Sequence, residues 1–196
     1  MKNNYSVIIY LDKKLNQKVK EVQRKLSDLT GSRACLDLWE PHLTIGAGVR
    51  VNDKELNSLY KDIRDNLERI EPFKIKIKDY SFMDNWMEGK LEGFTKYVAC
   101  FDVINNEKLQ HLFDVLKKNV TDTREIFYWP ISEYNPHITM AFKDLEHEGF
   151  LKAKEFLKDK KFENELVVNH IALAKENPDE SWTEFKRFNF EDKKTK

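Results

Sequence analysis

Trp39-Glu40-Pro41-His42-Leu43-Thr44-Ile45 returns in kind as Tyr134-Asn135-Pro136-His137-Ile138-Thr139-Met140. Both segments read aromatic, polar, Pro, His, aliphatic, Thr, aliphatic, and their histidines lie 137 − 42 = 95 positions apart in a chain of 196. With Pro and Thr each at about one position in twenty, a shared Pro-His-x-Thr setting for two of five histidines has odds on the order of one in ten thousand. The match marks a duplication.

Proline opens a strand easily but sits badly inside one, so Pro41 and Pro136 read as strand starts and the runs after them as short buried strands. Alternate side chains of a strand share a face. His42 and Thr44 then point one way, as do His137 and Thr139. Leu43, Ile45, Val49, Ile138, Met140 and Phe142 point the other. Gly46, Gly48 and Ala141 continue the polar side with little bulk, which suits a ligand groove better than a packed core.

Before the first motif, Tyr5 to Leu11 reads as a buried strand, and Leu15, Val19, Val22, Leu26 and Leu29 recur at helical spacing up to a capping Gly31. After it, Asn52 with Glu55 forms a capping-box pattern for a helix to about Ile70, ended by Pro72. Phe73 to Lys78 alternates as a half-exposed strand, Asp84 to Gly93 reads as a hairpin tip, and Lys96 to Val103 as a strand. Asn105 or Asn106 caps a helix through Leu116, and an aromatic-rich loop from Val120 leads into the second motif. A helix through Leu157, one strand over Leu166 to Ala174, a turn at Asn177 to Glu180 and a last strand to Phe190 complete the chain.

Each half thus runs strand, helix, His strand, helix, strand. Two copies of a βαβαβ unit imply a bilobal α+β domain over 1–196, with lobe one at about 1–94, lobe two at about 95–190 and a charged tail at 191–196. A pseudo-two-fold axis would set the two His strands face to face across a central groove.

The 34 basic and 34 acidic residues cancel. That balance argues against a surface built to neutralise a long duplex, and leaves room for a small anion in a local pocket. No apolar run approaches a membrane span, and Met1-Lys2-Asn3-Asn4 carries no signal-peptide pattern, so a cytoplasmic, monomeric protein is expected. Cys35 and Cys100 form neither a disulfide framework nor a metal motif and read as core residues.

Two histidines on either side of a phosphodiester can divide proton transfer, because imidazole and imidazolium are both populated near a pKa of about 6.5. Threonine hydroxyls beside them can bind non-bridging phosphate oxygens. No cofactor is required. A metal site would want a third ligand, and neither motif offers His-x-His or an acidic residue on the same strand face. Two structural histidines would account for one copy but not for the duplicated Pro and Thr. A nucleotide- or RNA-binding module without turnover stays open.

These paired H-x-T motifs, each on a strand of a duplicated lobe, resemble the two-histidine phosphoesterase superfamily, whose members include proteins named 2′-5′ RNA ligase and RNA 2′,3′-cyclic phosphodiesterase. The resemblance implies two mainly antiparallel sheets around the groove and metal-independent catalysis by His42, Thr44, His137 and Thr139. It further implies hydrolysis of a nucleotide or RNA 2′,3′-cyclic phosphate or a short oligonucleotide phosphodiester, with cyclic or 2′-5′-linked oligonucleotide signals as the alternative substrate. We take His137 as base and His42 as acid, an order the pseudo-symmetry leaves open.

RNA-processing members commonly have a basic residue soon after the second motif, whereas Ala141-Phe142 precede Lys143 here. By parity Lys143 lies on the His137 face, but roughly 20 Å along a straight strand. Trp39 and Tyr134, three residues before each His, and Tyr128 and Trp129 in the long loop are the candidates for stacking on a base. His111, His147 and His170 lack the Thr partner, and Lys74 to Lys78 reads as a solvated face.

Overall fold

A computed structural model describes residues 2–89, 93–126 and 133–190. Strand β1 (Lys2–Tyr10) leads into helix α1 (Lys13–Thr30), whose first turn is capped by the Asp12 carboxylate accepting from the Lys14 and Leu15 amides at 2.9 Å each. Gly31 ends it at φ 80°, where the missing Cβ lets its amide reach the Ser27 carbonyl at 2.8 Å. A short helix α2 (Ala34–Asp37) precedes the first His strand, β2 (His42–Asn52).

The capping box forms as its sequence requires. The Asn52 side chain accepts from the Glu55 amide at 3.2 Å, and the Glu55 carboxylate takes the Asn52 amide at 2.9 Å. Helix α3 (Leu56–Leu67) follows and stops three residues short of Ile70. Then come β3 (Phe73–Met83), β4 (Val98–Ile104), helix α4 (Glu107–Leu116) and a two-residue strand β5 (Glu125–Ile126). Asn106 is the cap of α4, its side chain accepting from the Leu109 amide. The second His strand is β6 (His137–Ala141), followed by helix α5 (His147–Leu157), β7 (Glu163–Val168), β8 (His170–Glu176) and β9 (Trp182–Asn189).

All pairings among the described strands are antiparallel, in the order β7-β3-β4-β6-β2-β1-β8-β9, with β5 added to β2. The nine strands form one sheet whose two arms, β7-β3-β4-β6 and β2-β1-β8-β9 with β5, are joined at β2 and β6 through one residue pair, Leu43 with Ile138. The two His strands are therefore neighbours, joined at their first turns.

Element order repeats as the sequence indicates, but the spatial halves are not the sequence halves drawn at 1–94 and 95–190. Strand β3 leaves the first unit to pair with β4 and β7, and the β8–β9 hairpin leaves the second to pair with β1. Strand pairing answers to edge complementarity and not to sequence proximity, so a duplicated unit can exchange its outer strands. The single strand expected over Leu166 to Ala174 is also two. Asn169 divides it, with Val168 paired to Phe73 and His170 paired to Asn189. Since β7 is terminal in the strand order and β8 is the last strand but one at the other side, with Asn169 alone between them in sequence, the sheet is rolled to bring the two together at Asn169.

Alternation along β1 assigns the faces. Tyr5, Val7 and Ile9 are fully buried in the main core with residues from α1, α3, α4 and α5, while Ile8 and Tyr10 belong to a second, smaller cluster with Ala172, Ala174 and Trp182. Tyr10 pairs with His42 and Ile8 with Thr44, so the second cluster shares the face of the first motif. A Cβ on Gly46 would meet Thr121 Cγ2 at 3.0 Å and Val7 Cβ at 3.3 Å. Thr121 is 2% exposed and Val7 0%. Neither has room to yield, so Gly46→Val is expected to lower stability by about 1–3 kcal/mol in denaturant unfolding, and an unchanged midpoint would show that the sheet is looser here.

Candidate active site

His42, Thr44, His137 and Thr139 line one pocket of about 960 Å³ counting its open mouth. The motif geometry is repeated in detail. Each imidazole Nδ1 sits 2.8 Å from the backbone carbonyl two residues earlier, Glu40 for His42 and Asn135 for His137. A carbonyl only accepts, so each Nδ1 carries the hydrogen and each Nε2 is the ring nitrogen left for the pocket. In the neutral ring that Nε2 is a base, and once protonated it is an acid. The buried prolines between carbonyl and His hold the chain in the bend that this contact needs.

Burial pushes both imidazoles below the ordinary histidine value, and the carbonyl bonds work against it. The charges separate the two rings. Asp102, the partner of His137 across β4 and β6, favours charge on that ring, and repulsion between the two imidazoles opposes a proton on both at once. Among the described residues no group of three or more His, Cys, Asp and Glu side chains is placed to hold a metal ion.

Aromatic residues form the walls. Trp39, Trp86 and Trp182 line the pocket with Tyr10, Phe94 and Phe142. Trp86 meets the His137 ring edge-on, at 5.3 Å between centroids and 81° between planes. Burial first, then Glu184 and Glu40, push the Tyr10 hydroxyl up to about 12, so it remains a donor. Among the described lining residues there is no Lys or Arg, and the one carboxylate, Glu40, is bonded to Lys20 at 2.6 Å and to Asn16 at 3.1 Å.

Several expectations change here. Tyr134 does not line the pocket. Its ring stacks on Phe113 of α4 at 4.2 Å and 5°, its hydroxyl donates to the Thr44 carbonyl at 3.1 Å, and it packs against the main core, away from the pocket. Ala141 is core, and Phe142, expected on the opposite face, lines the pocket because the pairing of β6 with β4 slips between Thr139 and Ala141, where Cys100 and Ala99 are consecutive, and parity is lost there. Lys143 turns away at φ 67°, with Nζ on Glu180 at 2.5 Å and over the Phe94 ring at 5.1 Å. Trp39 is in the pocket as expected, and Tyr128 and Trp129 lie outside the described residues.

Cys35 and Cys100 are buried, and burial raises both thiols, Cys100 to about 12, as suits core residues. His111, His147 and His170 are not among the lining residues. The sequence reading missed Tyr10, Trp86, Phe94 and Trp182. One signal was available: the chain has four tryptophans, none on a helical stripe, and the three that are described all line this pocket.

A second support lies behind the first motif. Asp144 accepts from Ser32 Oγ at 2.6 Å and from the Arg33 and Ala34 amides at 2.7 and 3.1 Å, tying α2 to the exit of β6. The Trp182 amide donates to the Leu38 carbonyl at 2.7 Å. Together these bonds fix the segment that presents Trp39 and Glu40.

The family model of the 2′-5′ RNA ligase superfamily matches residues 11–180. A protein of Oceanobacillus iheyensis with the provisional name of phosphoesterase is 27% identical over 151 residues, 77% of this chain and 80% of its own. A Bacillus licheniformis protein with the same provisional name is 24% identical over 189 residues, 94% and 96% of the two chains. E. coli LigT, crystallised with 3′-AMP, matches the fold with a TM-score of 0.67 at 14% identity, covering 98% of this chain and 100% of its own. A Thermus thermophilus protein gives 0.67 at 18% identity, with 97% and 98% covered. LigT has also been crystallised with NADP+.

Imidazole nitrogen spectra at neutral pH should show both rings as the Nδ1–H tautomer, each titrating below about 6.5, with His137 above His42. Asp102→Asn should move the His137 titration lower. A ring carrying its hydrogen on Nε2, or a His137 titration indifferent to Asp102, would contradict this account of the pair.

Proposed function

Because the chain belongs to the 2′-5′ RNA ligase superfamily, we propose that it is a metal-independent phosphodiesterase in which His42 and His137 exchange protons across one phosphodiester. The observation that carries the reading is the matched pair of Nδ1 bonds, which leaves two Nε2 atoms for a single pocket.

The preferred substrate is a nucleotide 2′,3′-cyclic phosphate or a short oligonucleotide. Water attacks phosphorus as one imidazole takes its proton, a P–O bond to ribose breaks, and the other imidazole protonates the departing oxygen. Thr44 and Thr139 hold the non-bridging oxygens as charge builds on them. Asp102 stands across from His137 and supports a charged ring there, so we assign His137 as the acid and His42 as the base, the reverse of the order taken from the sequence.

The walls argue for a short substrate. Trp39, Tyr10 and Trp182 offer flat surfaces to a base, and the described lining has no cation to follow a polyanionic backbone. LigT structures with 3′-AMP, NADP+ and ATP support a nucleotide ligand. Trp86, Phe94 and Phe142 form a second aromatic surface, so an internal linkage with a base on either side is the second reading, which includes cyclic and 2′-5′-linked oligonucleotide signals. The protein is read as a monomer, and no described helix is long and apolar enough to cross a membrane.

The test is turnover in EDTA of 2′,3′-cyclic AMP, an RNA ending in a cyclic phosphate, 2′-5′ oligoadenylate and a cyclic dinucleotide. At least one should be hydrolysed, with His42→Ala and His137→Ala each losing about a hundredfold to ten-thousandfold in kcat while binding is kept. If every member stays intact while one still binds, the site is a binding module.

A further inference from the structure

Gln23 lies on the apolar stripe of α1, where leucine would pack without cost, and it is 2% exposed. Its Nε2 donates to the Thr139 carbonyl at 3.2 Å, while its Oε1 is buried with no partner among the described residues. A buried amide with half its hydrogen bonding unmet destabilises the fold, so something other than packing accounts for it. Its counterpart is Tyr134, whose hydroxyl donates to the Thr44 carbonyl at 3.1 Å.

The two acceptors are related by the duplication. Among the described residues β2 and β6 share only the Leu43–Ile138 pair, and because the strands are antiparallel Thr44 and Thr139 flank that pair on opposite sides. Each threonine carbonyl takes a side-chain donor. The donors are crossed: Tyr134, from the second motif, holds the first strand, and Gln23, from the first unit, holds the second. Phe113 locks the Tyr134 ring at 4.2 Å, so that donor cannot swing away.

We infer that Gln23 and Tyr134 are positioning residues that cross-brace the two motif strands, one on either side of their single pair. By fixing the carbonyls of Thr44 and Thr139 they set the separation of the two hydroxyls and, one residue-pair earlier, of the two imidazoles. Neither reaches substrate. Both act through the strand they hold, on a reaction whose rate depends steeply on sub-ångström placement.

This rests on the phosphodiesterase reading, and the experiment separates the two. Tyr134→Phe keeps the ring and its stacking and removes only the hydroxyl. Gln23→Leu keeps the volume and removes the donor. Each should lower kcat about tenfold with KM within about twofold and a thermal midpoint at or above that of wild type for Gln23→Leu. Gln23→Glu adds a signature that packing alone does not give: a protonated carboxyl can still donate to the Thr139 carbonyl and an ionised one cannot. Its rate should therefore approach wild type at low pH and fall away as pH rises, beyond the wild-type profile.

Unchanged kcat in both Tyr134→Phe and Gln23→Leu, or a loss confined to KM, would overturn the inference. A wild type that turns over nothing would instead defeat the phosphodiesterase reading. The brace would then be read by titrating inorganic phosphate against the His42 and His137 imidazole signals. Weaker phosphate binding in both variants, by about threefold or more, supports it, and equal binding overturns it.

Discussion

Leu43 meets Ile138, and no other described residue of β2 pairs with β6. This contact sets a narrow condition for the whole molecule. Two antiparallel strands overlap only near their first residues, which brings the two histidines into one pocket, and from there they run in opposite directions. The apolar pair supplies the closeness, since both side chains are fully buried on the helix side of the sheet. On either side of that pair a side chain, Tyr134 or Gln23, donates to a threonine carbonyl of one strand.

What the sequence disclosed was what is local. The duplicated motif, the caps at Asn52, Asn106 and Gly31, and the order of strands and helices depend on residues within a few positions of one another, and the fold contains them. What it concealed depends on edges meeting across the molecule. Nothing near Phe73 or His170 announces that β3 and β8 will exchange places between the units. Strand parity misplaced Ala141 and Phe142 because it assumes an unbroken ladder, and the pairing of β6 with β4 slips between Thr139 and Ala141, while Lys143 lies beyond the strand's end. Tyr134 and Trp39 occupy equivalent motif positions yet face opposite sides, since Phe113 offers a stacking partner to one and the pocket receives the other.

The electrostatic character follows from the same economy. Charges are abundant in the chain but are spent on exposed pairs such as Lys61 with Asp65 and Lys74 with Glu165, which contribute little to stability. Lys143, the basic residue nearest the second motif in sequence, joins Glu180. The site is left with two imidazoles in an aromatic enclosure. In such surroundings a proton on either ring is costly and easily given up, the condition in which an imidazole pair passes protons readily near neutral pH.

The rolled sheet has a consequence for how the protein is made. Tyr5 of β1 finds its partner Lys175 only after almost the whole chain has been synthesised, and Trp182, on the strand that follows, forms part of the pocket wall. Until then one edge of β1 is open, and a chain with so many distant pairings must close long loops before they stabilise it. Asn169 shortens that search. Once β7 has docked on β3, the chain has one residue in which to turn, and β8 is delivered to the vacant edge of β1 with little freedom to go elsewhere. Closure of the sheet and completion of the pocket wall both require the final hairpin, and a nascent chain stalled before it carries both histidine motifs without Trp182.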